Sequence, residues 1–179
     1  MTSIIEATIQ ASTLSAISNI LAQTIKCYQD SKPFTFDFTP LIQFVLWAII
    51  STPPNFLWQL QLESWYPSQV PLEQDDKGKK AVGTQLSKSN TIKKFATDQL
   101  VGGPINTVLF VAFMGYSRGL TGGALAGYIT EEFWPLTVAS LKLWPAVSLI
   151  SFSVVKAEKR VVFGSIVALG WNIFLGLKM

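Results

Sequence analysis

The sequence predicts an all-α integral membrane protein: a helical bundle of four transmembrane spans with a fifth, C-terminal apolar helix and an interfacial amphipathic helix. Three observations predict it. Only 14% of the residues are charged and 49% are hydrophobic, against roughly 25% charged in soluble domains. The uncharged runs are long enough to match the roughly 20 helical residues that a bilayer core requires. The ionisable side chains gather between those runs, as they must where lipid penalises charge. With 179 residues, the chain reads as one membrane domain: a first helical hairpin over 1–66, a polar loop over 67–94, and a second helical half over 95–179.

The first uncharged run lies between Glu6 and Lys26. On a helix its Ala7, Ala11, Ser15, Ser18 and Ala22 share one stripe, and small residues let helix backbones approach closely in lipid. The second run lies between Asp37 and Glu63. From Pro67 to Lys94 the chain turns polar, and PLEQDDKGKK followed by Lys, Ser and Thr reads as a flexible surface loop joining two hairpins.

The third run, Asp98 to Arg118, opens with Asp98 and Gln99 and continues through Gly102, Gly103, Pro104 and Asn106. Proline beside glycines loosens a helix and frees carbonyls, which at membrane depth must meet protein or water. These residues either border a water-accessible path or form a self-satisfied kink with Asp98 at the interface. Gly119 to Phe133 reads as a turn followed by an interfacial helix, because Thr121, Gly122 and Gly123 favour a helix start and Glu131 and Glu132 favour the water boundary.

Pro135 to Val155 is the fourth run, with Lys142 long enough to snorkel. Ser148 and Ser151 share a face, continued by Lys159 if the helix runs on, and either line an interior path or bond their own backbone. Arg160 at membrane depth calls for a partner, with Glu158, Asp98 and Glu63 the candidates. Val161 to Leu177 is the fifth run, short for a span.

Charge bias orients these runs. If the first four cross, the 63–94 loop and the Lys156 to Arg160 cluster fall on one side and are net positive; Lys26 to Asp37 balances, and Arg118 to Glu132 is net acidic, on the other. Trp47, Trp58, Trp65, Trp134, Trp144 and Trp171 stand mostly toward run ends, as an interfacial belt requires.

The chain contains no histidine and one cysteine, Cys27, which removes His/Cys metal sites, Ser-His and Cys-His nucleophile pairs and intrachain disulfides. No metal or cofactor is implied, and an enzyme is not expected. A net charge of +3 with dispersed basic residues excludes a nucleic-acid footprint. The partners to expect are the lipid bilayer and other membrane proteins or a second copy of the chain. The opening MTSIIEATIQAST lacks the basic start of a secretory signal and the Arg-rich character of a transit peptide, so any organelle address is expected to be internal.

The segments FATDQLVGGP, LKLWPAVSLISFSVVKAEKRVVF and Trp171-Asn172 followed by Leu175 carry a resemblance. They are similar to the Asp-Gln-x-x-x-x-Pro, Trp-Pro-x-x-Gln-x-x-Asn-Phe-x-x-x-Pro-x-x-x-Arg and Trp-Asn-x-x-Leu elements of the Mpv-seventeen family, that of the 22-kDa peroxisomal membrane protein and its mitochondrial inner-membrane relatives. Pro104, Trp144, Pro145, Phe152, Arg160, Trp171 and Asn172 fit the signature; Ser148, Ser151 and Lys156 stand where it has Gln, Asn and Pro. Leu21-Ala22-Gln23 and Pro53, Trp58 and Leu62 match weaker elements of the first half, so the chain resembles a diverged member. The resemblance implies a four-span organelle protein of the peroxisomal or, favoured here, the mitochondrial inner membrane. It also implies pore-like permeability, for which the residues themselves offer Asp98, Gln99, Asn106, Ser148, Ser151, Lys159 and Arg160 as candidate interior polar groups. The alternative is a non-conducting scaffold.

Overall fold

The computed structural model of the chain describes residues 3–71 and 84–178. Helix α1 is Ile4–Gln29. Ser3 caps it reciprocally: its hydroxyl accepts from the Glu6 N–H at 3.1 Å while its own N–H donates to the Glu6 carboxylate at 2.9 Å. That capping box satisfies two of the amides a helix start leaves open. The predicted stripe is the buried face, with Ala7, Ala11, Ser15, Ser18 and Ala22 inside, and it seats α1 between α2, Phe38–Trp65, and α7, Ala157–Lys178. Gln23 fixes the turn between α1 and α2. Its amide donates to the Asp37 carbonyl at 2.7 Å and accepts from the Asp37 N–H at 2.9 Å, placing Asp37 to cap α2 through the Thr39 N–H.

The segment from 67 to 94 departs from the expected loop. Residues 72–83 lie outside the described residues. On their flanks, strand β1, Gln69–Pro71, pairs antiparallel with β2, Thr84–Leu86, a small ribbon in an otherwise helical fold. Ser87 then caps α3, Lys88–Thr97, which runs through a π-helical turn at Asp98–Gly102 into α4, Gly103–Ser117. The third span therefore begins about ten residues earlier than its uncharged run suggests. Lys93 and Lys94 lie inside a helix, not before it.

A turn at Arg118–Thr121, with Gly119 at φ 84 and Gly122 at φ 54, leads to α5, Gly122–Ser140, and α6, Trp144–Val154. The sequence placed an amphipathic helix over Gly119–Phe133 and a separate span from Pro135. Instead one helix runs from Gly122 through Pro135, and the break falls at residues 141–143, where the axes bend by 55°. Pro145 accounts for the position: it cannot bond the carbonyl four residues back and clashes with it. Lys142 sits exposed in that break.

Among the described residues, α2, the 88–117 helix and α7 are long and apolar enough to cross a membrane, and α5 with α6 makes a fourth if they form one broken span. Many large Ile, Leu, Val and aromatic side chains are exposed along the helices, an exterior suited to lipid. Glu63, Lys94 and Arg160 meet at one end of the bundle. Lys26, Asp37, Arg118 and Gly176 border a common hollow at the other. The loop ends pair as expected, but Glu131 and Glu132, expected in the acidic loop, lie within α5.

Candidate functional site

A cavity of about 320 Å³ lies inside the bundle and is lined by α1, α2, the 98–110 segment, α5, α6 and α7. On α7 its wall includes Arg160, Gly164, Ala168, Trp171 and Leu175, a helical stripe extending roughly 22 Å at 1.5 Å per residue. The cavity thus follows the bundle axis for more than half of a hydrocarbon core of about 30 Å.

One end is built from charge. Glu63, in the last turn of α2, pairs with Lys94 and with Arg160, each at 2.8 Å to the same carboxylate oxygen. Ser68 donates to Glu63 as well, its N–H to the other carboxylate oxygen at 2.6 Å and its hydroxyl to the shared one at 2.8 Å. Ser68 also contacts Lys94 Nζ and accepts from Arg160 at 3.1 Å. Lys94 is fully buried and Arg160 is 4% exposed, and the Phe152 ring lies under both cations, 5.8 and 5.0 Å from its centroid. Three chain segments distant in sequence, 63–68, Lys94 and 152–160, are tied here at one point.

One helical turn deeper is Asp98. Its carboxylate accepts from Trp58 Nε1 at 3.0 Å, from the Ser148 hydroxyl at 2.9 Å and from Gln99 at 3.4 Å, with Gln59 against it as well. Every one of these donors is neutral. The π-helical turn sets this geometry: the Gly103 N–H reaches back to the Asp98 carbonyl, one residue further than in an α-helix, which accommodates Pro104, a residue with no N–H. Gly102 admits the Trp58 indole, since a Cβ there would lie 2.8 Å from Nε1.

Further along, Asn55 and Asn106 approach at 3.5 Å. The far end is apolar: Phe44, Met114 and Leu175 form a buried cluster against Trp47, Phe110, Phe113, Leu136 and Trp171. Among the described residues, three buried side-chain polar atoms have no protein partner: Gln59 Oε1, Thr137 Oγ1 and Arg160 Nη1. All three residues line this cavity. An unpaired buried polar atom costs about 1–3 kcal/mol, so a roomy hollow that collects them suits water or a polar solute.

Of the residues singled out from the sequence, Asp98, Gln99, Asn106, Ser148, Ser151 and Arg160 line the cavity, as do Pro104, Trp144, Phe152, Trp171 and Asn172. Lys159 is exposed and lies outside the lining, one residue round the helix from Arg160; Pro145 is outside it too. The serines differ from a self-bonded pair, because the Ser148 hydroxyl turns across to Asp98. Of the candidate partners for Arg160, Glu63 is the one it takes. The tryptophan belt is corrected: Trp47, Trp58, Trp144 and Trp171 face the cavity, leaving Trp65 and Trp134 exposed at 53% and 66%. Lys94, Ser68, Gln59 and Thr137 were not legible as site residues. For Lys94 and Gln59 a signal existed, since each stands four residues from an acidic side chain, Asp98 and Glu63, on the same helix face.

Comparison with known proteins gives the same direction. The family profile described as "Mpv17 / PMP22 family" matches residues 120–176. Peroxisomal membrane protein 2 of Bos taurus is 27% identical over 165 residues, covering 90% of this chain and 76% of that protein. Protein sym1 of Schizosaccharomyces pombe is 26% identical over 182 residues, covering 94% and 81%. PXMP2/4 family protein 3 of Dictyostelium discoideum is 28% identical over 167 residues, covering 93% and 79%. No solved structure matches the chain. The near full-length similarity to these relatives and the family match over the last third make this apolar helical bundle an integral membrane protein similar to the Mpv17 / PMP22 family.

Proposed function

We propose that the protein is a small passive channel or solute-permeability protein of an organelle membrane, and that the axial cavity is its path. The observation that carries this reading is that, among the described residues, those with buried side-chain polar atoms left without a protein partner, on α2, α5 and α7, all border one hollow. A packed scaffold has no reason to collect them there, whereas a solute path replaces their lost hydration. The charged tie at one end and the aromatic cluster at the other are the two constrictions a passive path would have to open. Arg160 and Asp98 would set its charge preference, and no catalytic step is involved. Mitochondrial inner membrane is the compartment we favour over the peroxisomal membrane, on the resemblance to inner-membrane members; imaging the tagged protein against markers of both organelles decides it.

The test is flux through reconstituted protein. Purified chain in planar bilayers or liposomes conducts or releases small solutes, and Ala168→Phe, which projects a ring from the α7 wall into the cavity, lowers that flux at unchanged protein yield. Silence of the unsubstituted protein at high reconstitution density, or flux indifferent to Ala168→Phe, would rule the path out.

A second reading, a non-conducting scaffold, is favoured by one observation. Helix α5 has no buried residue, exposes Trp134 and Val138, and leaves open space at Gly123 and Gly127. A native complex far above the monomer mass with stoichiometric partners, together with silent bilayers, is the outcome that selects it.

A further inference from the structure

Two groups of opposite net charge sit one turn apart at one end of the cavity, which Arg160 lines for the first and Asp98 for the second. At the tie, Glu63 carries one negative charge against the two positive charges of Lys94 and Arg160, an excess of one positive charge. Asp98, four residues beyond Lys94 on the same helix, is a carboxylate whose protein partners are neutral donors. Gln59, four residues before Glu63, lies against Asp98 on α2. Both helices therefore separate the positive from the negative level by one turn, roughly 5.4 Å.

The unpaired atoms follow the same division. Arg160, 4% exposed, keeps Nη1 without a protein partner; its N–H groups call for an acceptor, best an anionic one. At the Asp98 level, Gln59 Oε1 is an unpaired acceptor and calls for a donor. Asp98 takes three donors at hydrogen-bond distance with Gln59 beside it, all of them neutral, so its carboxylate has no cationic partner among the described residues. A lone anion would satisfy Arg160 and be repelled by Asp98. A lone cation would meet the converse.

We propose that the cavity holds a binding subsite for small zwitterions of the amino-acid type, with the carboxylate on Arg160 Nη1 and the ammonium on Gln59 Oε1 and Asp98. This deepens the path reading by naming its solute class and rests on it for function, but binding is measurable without conduction. The ligand is net neutral, so it leaves the charge of the cavity balanced, and its two ends supply the acceptor and the donor that the two levels lack.

The experiment is thermal unfolding of the full chain, purified in mild detergent, titrated with glycine and γ-aminobutyrate as a short and a long zwitterion. Acetate, methylammonium and glycerol serve as anionic, cationic and neutral controls. The expected result is a saturable rise in Tm with at least one zwitterion, at about tenfold lower concentration than any control requires. Arg160→Lys keeps the charge at the tie but removes the guanidinium fork, and Gln59→Leu removes the unpaired acceptor; each weakens half-saturation by about tenfold, the loss of one charge-assisted bond. Gln59→Leu carries the test alone if Arg160→Lys does not fold. Acetate matching the zwitterions would reduce the site to an anion site, methylammonium matching them to a cation site, and glycerol matching them to unspecific filling. Any of these, the lack of a saturable shift, or variants that bind like the parent overturns the proposal. Zwitterion binding with silent bilayers removes the path and leaves the subsite; conducting bilayers without binding do the reverse.

Discussion

Glu63 is the residue on which the charged tie depends, because it is the one anion between two cations that are themselves almost wholly buried. Breaking a buried ion pair by removing one partner is costly chiefly through the charge left behind. Glu63→Gln leaves Lys94 and Arg160 facing each other, and we expect a loss of about 2–4 kcal/mol, near the lower part of the buried-pair range because the Glu63 side chain is 27% exposed. Lys94→Met leaves the Glu63–Arg160 pair intact and costs about 1–2 kcal/mol. In the Glu63→Gln background, however, Lys94→Met removes a repulsion and regains part of the stability. Unfolding midpoints of the two single variants and the double variant check this; a double variant as unstable as the sum would show that the tie is not electrostatic. Arg160 was legible as a residue needing a partner, because an arginine at membrane depth cannot be left alone. Lys94 was not, since a lysine at the edge of an apolar run looks like an ordinary flanking charge until its helix is known to begin at Lys88.

At the scale of the elements, α1 was legible in outline and in face: its stripe of small residues is the buried stripe. Its consequence is a very close approach to α7. A Cβ added at Gly176 would lie 2.7 Å from the Ala22 Cβ, below any ordinary contact, so Gly176→Ala forces the two helices apart and costs about 1–3 kcal/mol. Adding Ala22→Gly makes room again, and the double variant should recover part of that loss despite glycine's poorer helix propensity. Thermal unfolding in detergent reads both, and a harmless Gly176→Ala would contradict the packing. Helices α5 and α6 were read less well, for an identifiable reason. Charge-free length set the boundaries, so Glu131 and Glu132 cut one helix into an interfacial piece and a span. The true break lies at residues 141–143, and its signal was the Trp144-Pro145 pair rather than charge. The π-helical turn was half legible: Pro104 beside Gly102 and Gly103 announced an irregular backbone at membrane depth, but only the partners of Asp98 give that irregularity its direction.

For the whole molecule, the remaining question is how many times the chain crosses. Helix α1 is more polar than the helices that qualify as spans by composition, with Thr, Ser and Gln along its length. Yet it packs between α2 and α7, and Ala22 near its end meets Gly176 near the end of α7. Serine and threonine hydroxyls that bond the helix's own carbonyls, as Thr8, Ser12, Thr13 and Thr24 do, make such a helix tolerable beside lipid. Helix α7 starts beside the charged tie and finishes at the hollow bordered by Lys26 and Arg118, so it too traverses the full bundle. With α5 and α6 as one broken crossing and α1 counted beside the spans that qualify by composition, we expect the chain to pass five times. Ser3, Lys88 and Lys156 then lie on one side, and Lys32 and Leu177 on the other. Single cysteines at these positions, in a chain whose one native cysteine is replaced by Cys27→Ala, report this through a membrane-impermeant maleimide applied to sealed vesicles. We expect Ser3→Cys, Lys88→Cys and Lys156→Cys to label from one face and Lys32→Cys and Leu177→Cys only from the opposite face. Leu177→Cys labelling together with Lys156→Cys would mean that α7 lies along the surface, and the cavity wall it provides from Arg160 to Leu175 could not follow the membrane normal.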